Sequence, residues 1–336
     1  MAVLAVILGG MMQGSFALPM RLERSWSWEN IWIVYSFFGL LVIPWAVAQA
    51  TVPSLLVIYS SVSASALAST VLFGFAWGVA NVLFGLSVPK AGMALSFAIV
   101  VGMSASLGSL IPLIVSNPER LIKPSGLLVL GGVALTLLGV FLLGSAGRAQ
   151  EKARANTNIS VTRPQKAITA GLVLCVIAGV LAPMLNFSFA FGSEIIERAS
   201  ERGVTPGRAV NAIWALALAG GFLSNVGYCV VLLTRNKSWS RFLEIRAPSN
   251  WGLSALMGIL WTCGILLYGW GASLLGELGP SIGWPVFQAT IVVTSSAVGF
   301  YLGEWDNAEP GTMKMNGIGL AVLASSIVVL SIGNRM

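Results

Sequence analysis

Uncharged amide side chains occur deep inside strongly apolar segments of this chain, where polar groups are otherwise scarce. They are Gln13, Asn186, Asn225 and Gln288. An amide offers two donors and an acceptor, which are the groups that bind the hydroxyls of a neutral ligand. Hydrogen bonding between helices is the alternative role. We predict Gln13, Asn186 and Gln288 as substrate-binding residues.

Two tryptophans lie near the middle of apolar segments, whereas others such as Trp28 and Trp32 fit an interfacial belt. Trp77 and Trp261 each follow about ten to twelve residues of apolar sequence, or roughly 15–18 Å of helix. An indole ring has a flat apolar face that suits the C–H groups of a sugar ring. Packing between helices is the other interpretation. Asn81 is one turn beyond Trp77 and Tyr268 is two turns beyond Trp261, so both join the predicted site.

Two carboxylates at the end of the sixth apolar segment are the candidates for binding a proton. Glu197 is the first choice and Glu194 the reserve, because partial burial can raise the pKa of a carboxyl toward working pH. The chain contains no histidine that could carry the proton instead. The alternative is that "GSEIIERASERG" is a solvated helical extension with charge pairs four residues apart.

Composition places the chain in a membrane. Of its 336 residues, 56% are hydrophobic and only 9% are charged, and the mean hydropathy is +0.86. Soluble domains carry about 25% charged residues. The net charge is +7, and the basic residues lie mostly in short loops between apolar segments. Basic residues in such loops set the topology of a membrane protein. We therefore expect no nucleic-acid partner.

Several functional classes are excluded by residue type. Three cysteines, Cys175, Cys229 and Cys263, all lie in apolar segments and cannot form a disulfide framework. Without histidine or a Cys/His spacing we expect no metal site. An integral-membrane enzyme would need paired carboxylates, histidine or a metal, and Asp306 is the one aspartate. We therefore expect neither an enzyme nor a cofactor, apart from protons as the coupling ion.

Charged or Pro/Gly-rich breaks divide the sequence into ten apolar segments, each about long enough to span a bilayer. We predict helices near 1–20, 30–50, 65–87, 91–115, 124–147, 167–191, 208–234, 251–273, 281–303 and 314–333. The first segment lacks a basic start and a cleavage site, so we interpret it as a retained helix. The stretch "TVPSLLVIYSSVSAS" (51–65) is predicted to be an interfacial loop.

The basic residues predict orientation. Loops after the odd-numbered segments hold thirteen of the nineteen Lys and Arg residues. Because short cytoplasmic loops are enriched in these residues, we expect those loops in the cytoplasm and both termini in the periplasm.

Two phrases are repeated in order along the chain. "GFAWGVANVLFG" (74–85) is similar to "GILWTCGILLYG" (258–269), and "QGSFAL" (13–18) is similar to "NFSFAF" (186–191). Each match joins a segment to the fifth segment after it. We predict two five-helix repeats, 1–147 and 167–336, joined by a cytoplasmic basic linker, 148–166. Five is odd, so the repeats would be inverted, an architecture common in transporters. Chance similarity between apolar sequences is the alternative.

Longer phrases resemble the bacterial L-rhamnose–proton symporter family of the drug/metabolite transporter superfamily. They are "RSWSWENIWIVYSFFGLLVIPWAVA" (24–48), "FGFAWGVANVLFGLSVPKAGMALSFAIVVG" (73–102), "GGFLSNVGYC" (220–229), "LWTCGILLYGWG" (260–271) and "GEWDNA" (303–308). The resemblance implies ten helices, inward sugar uptake and proton coupling. It also implies a Glu before a "GV-x-P" motif, which Glu197 and "GVTP" (203–206) match. The chain departs from the family at Gly264 and near Phe287, where members carry Gln and His.

These observations lead to one expectation and one alternative. We expect an all-α, multi-pass protein of the bacterial inner membrane that imports a small neutral sugar, L-rhamnose or a related deoxy-sugar, by proton symport with alternating access. Its partners would be the sugar and membrane lipids. The alternative is an exporter or exchanger of another metabolite with the same fold. The sequence leaves the exact sugar and the oligomeric state open.

Overall fold

The computed structural model of the chain describes residues 1–23, 25–157, 165–244, 247–306 and 308–333, which form helices and turns without a strand. Ten of these helices are long and apolar enough to cross a membrane, which confirms the predicted number. They are α1 (Ala2–Leu22), α2 (Trp28–Thr51), α3 (Ala64–Ala91), α4 (Met93–Ser116), α5 (Pro124–Ala153), α6 (Lys166–Ser200), α7 (Pro206–Arg235), α8 (Pro248–Leu274), α9 (Gly276–Tyr301) and α10 (Pro310–Gly333). In lipid every backbone N–H needs an internal acceptor, and a helix supplies one for each residue.

The structure corrects one predicted loop. Within 51–65 the chain forms a short helix, Leu55–Ser61, whose apolar side is buried. The hydroxyl of Tyr59 in this helix donates to the carbonyl oxygen of Ala212 in α7 at 2.7 Å. The buried residues are Leu55 and the residues three and four positions later, Ile58 and Tyr59. This spacing places them on one face of the helix.

The predicted linker begins as helix. Helical backbone continues from α5 through Thr157, so residues 148–157 of the predicted linker extend that helix. Residues 158–164 lie outside the described part of the chain. The repeat boundaries and the inverted relationship between the halves stay predictions.

The chain divides into two compact units, and neither coincides with one sequence half. Unit 1 comprises Met1–Val79 and Met184–Leu274, and unit 2 comprises Ala80–Pro183 and Leu275–Met336. Helix α6 is interrupted at the boundary, because regular helix ends at Leu181 and resumes at Met184. Pro183 explains this break, since proline has no N–H and its ring clashes with the preceding turn.

In unit 1, glycines allow two helix contacts on α8 to be very close. A Cβ on Gly9 of α1 would lie 2.6 Å from the carbonyl oxygen of Gly264, and one on Gly264 would lie 2.8 Å from that of Gly9. Gly258 and Gly39 of α2 meet in the same way, with a Cβ on Gly258 only 2.8 Å from the Gly39 nitrogen. Close approach of small residues is the usual means of association between helices in lipid.

Helix α2 contains a wider π-helical segment, Phe37–Val42, where the N–H of Ile43 donates to the carbonyl oxygen of Phe38. Pro44 follows Ile43 and has no N–H to donate to the carbonyl oxygen one turn earlier. This missing donor disturbs the regular α-helical hydrogen bonds. Within this segment the Gly39 carbonyl accepts a hydrogen bond from the Thr262 hydroxyl of α8 at 2.6 Å. The irregular backbone thus gains an interhelical hydrogen bond.

Unit 2 is built from α4, α5, α9 and α10 together with the adjoining parts of α3 and α6. Its core contains Val140, Ala289, Val292 and Leu323. Helices α5 and α10 pack through glycines: a Cβ on Gly139 would lie 2.7 Å from the Leu323 side chain. Between α4 and α9 the Ser109 hydroxyl donates to the carbonyl oxygen of Ser281.

We predict that Gly264→Ala lowers the thermal unfolding temperature of the purified protein, because the added methyl group meets the backbone of α1. Overpacking of this kind costs about 1–3 kcal/mol. Gly252→Ala is the matched control on the same helix, since a Cβ there has no atom within 4 Å. Equal unfolding temperatures for the two variants would contradict the close contact of α1 with α8.

Candidate functional site

The two predicted tryptophans meet in unit 1. The ring centroids of Trp77 in α3 and Trp261 in α8 are 5.1 Å apart, and the ring planes are tilted by 34°. Both side chains are buried. Gly221 of α7 makes room for the Trp77 ring, because a Cβ there would lie 2.8 Å from it. The indoles form one apolar surface held by three helices.

Further aromatic rings extend this surface toward the start of α2. Trp28 stacks on Trp32 at 4.9 Å, Trp32 contacts Tyr35 at 4.9 Å, and Tyr35 meets Trp261 edge-on at 6.4 Å. We call Trp28, Trp32, Tyr35, Trp261 and Trp77 the aromatic ladder. The sequence interpretation assigned Trp28 and Trp32 to an interfacial belt and did not consider Tyr35. Their spacing of four and three residues on one helical face was the available signal.

Gln13 lies beside this ladder. Its Cβ is 3.1 Å from the position that a Cβ on Gly264 would take. Phe16, one turn further along α1, contacts Tyr35 at 5.6 Å and Trp32 at 6.5 Å. The Nε2 atom of Gln13 is buried and has no hydrogen-bond partner among the described residues. An unpaired buried donor costs about 1–3 kcal/mol, so this amide is suited to a ligand that supplies an acceptor.

Asn186 and Tyr268 bind each other instead of standing open to a ligand. The Tyr268 hydroxyl of α8 donates to the Oδ1 atom of Asn186 in α6, and both side chains are fully buried. The rings of Phe189 and Trp214 pack around Tyr268 at 6.2 Å and 6.1 Å. This pair joins α6 to α8, two helical turns beyond Trp261 on α8. Their predicted contact with substrate stays a prediction.

Asn225, the third of the four deep amides and the last of them in unit 1, has an interhelical role. Its Oδ1 atom accepts the indole N–H of Trp32 at 2.9 Å, and its Nδ2 atom donates to the carbonyl oxygen of Gly221 at 2.8 Å. The side chain orients one ring of the aromatic ladder. Polar side chains commonly form such hydrogen bonds between neighbouring helices in membranes.

The other predicted residues, Asn81 and Gln288, lie in unit 2. Asn81 is half-buried, one turn along α3 from Trp77. The Gln288 Nε2 atom donates to the Ser104 hydroxyl of α4 at 2.9 Å, and the Trp284 indole N–H donates to the Ser104 carbonyl oxygen at 3.0 Å. Ser104 therefore joins α9 to α4 within this unit.

Of the two predicted proton carriers, Glu194 contacts the start of α3. Glu194 accepts hydrogen bonds from the Ser63 N–H at 2.7 Å and from the Ser63 hydroxyl at 2.6 Å. Ser63 immediately precedes α3, so this carboxylate stabilises a helix N-terminus. Glu197 is exposed on the helix Ser193–Ser200. Arg198 on that helix forms an exposed ion pair at 3.3 Å with Glu201, which directly follows the helix.

The chemistry of the site in unit 1 is that of binding. Flat aromatic faces can pack on the C–H groups of a ring, and the Gln13 amide can bond to a hydroxyl. The described residues contain no group of three or more His, Cys, Asp or Glu side chains that could hold a metal ion. The aromatic and amide groups match a neutral polyhydroxyl ligand.

Comparison with known proteins places the chain in a family. The family model described as L-rhamnose-proton symport protein matches residues 1–334. Proteins named L-rhamnose-proton symporter from Shigella dysenteriae serotype 1 (strain Sd197), Escherichia coli (strain 55989 / EAEC) and Escherichia coli O8 (strain IAI1) are each 28% identical to this chain over 337 residues. Each alignment covers 98% of this chain and 96% of the relative. With ten membrane-spanning helices and a family match over almost its full length, the chain belongs to the L-rhamnose-proton symport protein family.

Proposed function

We propose that this protein imports L-rhamnose, or a closely related deoxy-sugar, together with protons. The observation that carries the proposal is the unpaired Nε2 donor of Gln13 beside the aromatic ladder. A deoxy-sugar has both an extended C–H surface and several hydroxyls, so it can use the indole faces and the amide at once. The alternative of an exporter with another substrate is not favoured, because the family match extends over the whole chain.

Transport by this family fold requires the site to face each side of the membrane in turn. We propose that the loops after the odd-numbered helices are cytoplasmic and that both termini are periplasmic. The support is the excess of Lys and Arg in those loops. Inward transport then carries sugar from the periplasmic side to the basic side.

The direct test is uptake into liposomes that contain the purified protein. We expect labelled L-rhamnose to accumulate when the outside is more acidic than the inside, and to equilibrate without accumulation when no pH gradient exists. L-Fucose and other deoxy-sugars, tested in parallel, define the substrate. Uptake of none of these sugars would reject the proposed substrate class, and accumulation unaffected by the gradient would reject proton coupling.

We predict that Gln13→Ala weakens L-rhamnose binding roughly three- to tenfold, because one amide–hydroxyl bond is worth about 0.5–1.5 kcal/mol net. Trp77→Ala should weaken binding more, since it removes a whole aromatic face. Titration of sugar into purified protein measures both effects.

The matched controls for this measurement are Gln49→Ala and Trp239→Ala, which change exposed side chains of the same types. Both controls should bind the sugar like wild type. If Gln13→Ala and Trp77→Ala also bind like wild type while remaining folded, the sugar binds elsewhere.

Proton coupling through Glu197, with Glu194 as the reserve, is a separate proposal that rests on the family motif. Glu197→Gln keeps the shape of the side chain but fixes its charge at zero. It should abolish accumulation driven by a pH gradient and leave sugar exchange between the two sides intact. Counterflow and gradient-driven uptake in the same liposomes measure the two activities.

Glu201→Gln is the control for this test, because Glu201 lies on the same exposed helical stretch in an ion pair with Arg198. It should accumulate sugar normally. Normal accumulation by Glu197→Gln would exclude that residue, and normal accumulation by Glu194→Gln as well would remove this region from proton coupling.

A further inference from the structure

A carboxyl group at the end of α1 contacts α8 in unit 1. The Ser254 hydroxyl of α8 donates to the Oε1 atom of Glu23 at 2.8 Å. The Oε2 atom of Glu23 is buried and has no hydrogen-bond partner in the described part of the chain. The hydrogen-bond partner of this carboxyl is thus a neutral hydroxyl. The second carboxyl oxygen is shielded from solvent and gains no hydrogen bond within the described residues.

A second carboxyl at the same end of unit 1 has a different environment. The Oε1 atom of Glu29 in α2 accepts from the Ser238 hydroxyl at 2.7 Å and from the Asn236 amide at 3.0 Å. Several donors on a carboxylate favour its charged form. The hydrogen-bond donors around Glu29 therefore favour its charged form, whereas the buried, unpartnered oxygen of Glu23 favours the neutral acid.

Burial raises the pKa of Glu23 from an ordinary 4.5 to about 7, and the hydrogen bond from Ser254 partly opposes this rise. The described charged groups nearest to Glu23 along the chain are Arg21 and Glu29. Arg241 lies in the turn Trp239–Leu243, and Glu244 directly follows that turn. The Arg241 guanidinium donates to the Ser25 carbonyl oxygen at 2.6 Å. Helix α8 carries no charged residue between Pro248 and Leu274.

The sign of the pH effect follows from this rise. A carboxyl whose pKa is higher in the packed state stabilises that state when it is protonated. The stabilisation is complete below the ordinary pKa of 4.5 and is lost as the pH rises through about 7. Above that pH the ionised carboxylate favours separation of the end of α1 from α8, because separation returns it to water.

The position of Ser254 connects this carboxyl to the candidate sugar site. Ser254, Trp261 and Tyr268 are spaced by seven residues and lie along one face of α8. Gln13 lies on α1 and Glu23 directly follows that helix, which packs against α8 through Gly9. Separation of α1 from α8 at the Glu23 end would therefore hydrate the carboxyl and disturb the contacts of Gln13 and Trp261 together.

Glu23 also lies at the opposite end of unit 1 from Glu194. Helix α1 ends at Leu22, and Glu23 follows it beside Ser254 near the start of α8, whereas Tyr268 near the other end of α8 contacts Asn186, eight residues before Glu194. Glu194 and Glu197, the carriers named in the proposed function, lie at one end of unit 1, and Glu23 is a partly buried carboxyl at the other end.

We propose that Glu23 holds the coupled proton at its end of unit 1 and releases it to entering water when α1 and α8 separate. The O–H bond of the carboxylic acid breaks, the proton passes to water, and a carboxylate remains in the opened end. The released carboxylate cannot be buried again at low cost until it is reprotonated. This inference rests on the proposed sugar–proton symport and assigns one of its steps.

The first test is the pH profile of L-rhamnose counterflow in liposomes with equal pH on both sides. Wild-type exchange should fall as the pH rises through about 7, whereas Glu23→Gln, which is permanently neutral, should exchange sugar at a rate independent of pH and lose gradient-driven accumulation. Glu244→Gln, a carboxyl change in the neighbouring turn, should retain the wild-type profile. A Glu23→Gln protein with the wild-type profile and normal accumulation would overturn the proposal.

Ser254→Ala provides a second variant that retains the carboxyl. Loss of a hydrogen bond to the charged form should move the midpoint of the profile upward by about one pH unit. An unchanged midpoint, or a downward shift, would contradict the assignment even if Glu23→Gln failed to fold.

Infrared titration of the purified protein without sugar separates this inference from the transport proposal. Wild type should show a protonated carboxyl band that disappears near pH 7, and Glu23→Gln should lack it. If wild type does not transport L-rhamnose, the proposed function is rejected. The infrared band still tests the protonation of Glu23, because it is measured without sugar. A band that titrates near the ordinary value of 4.5 would refute the role of Glu23 whatever the substrate.

Discussion

The close contact between α1 and α8 is the constraint on which the candidate site depends. Neither helix could approach so closely with a side chain at Gly9 or Gly264, because a single Cβ would fall within 3 Å of the opposite backbone. Water does not drive this association inside a bilayer, so van der Waals packing between small residues must do so. The contact sets Gln13 beside the helix that carries Trp261, and it brings Glu23 to Ser254.

Polar groups in unit 1 fall into two classes according to whether their hydrogen bonds are complete. Asn225 bonds to Trp32 and to the backbone of Gly221, and Asn186 accepts from Tyr268. These groups fix helices and rings in place. Gln13 and Glu23 each have a buried polar atom without a partner in the described residues. Ser36, Trp45 and Trp214 share this feature. Gln13 is the one of these groups that lies beside Gly264, on the helix that carries Trp261, and Glu23 is the one that can bind a proton. Because such atoms are costly in the interior, a hydroxyl at Gln13 or a proton at Glu23 would relieve that cost.

The sequence predicted the helices well, because an apolar run of about 20 residues has one stable conformation in lipid. It also singled out Trp77 and Trp261, since a tryptophan at mid-depth is unusual, and their rings do meet, although their contact with substrate stays a prediction. It missed the ladder residues on α2, although their helical spacing was readable. It also predicted a loop where the helix Leu55–Ser61 forms, because seven residues are too few to give a spanning signal.

Contacts between distant parts of the chain were beyond sequence reasoning. Tyr268 and Asn186 are 82 residues apart, and no local pattern indicates that their helices meet. Glu23 lies two residues from Arg21 in a loop that the sequence presents as charged and solvated. Only the packing of α8 over this loop shows that its carboxyl is half-buried and paired with Ser254.

The measurement that tests the account most directly is an experimental structure of the protein with L-rhamnose bound. The account predicts density for the sugar against the Trp77 and Trp261 rings, with a hydroxyl within hydrogen-bond distance of the Gln13 amide. Sugar density that contacts neither the tryptophan pair nor Gln13 would contradict it.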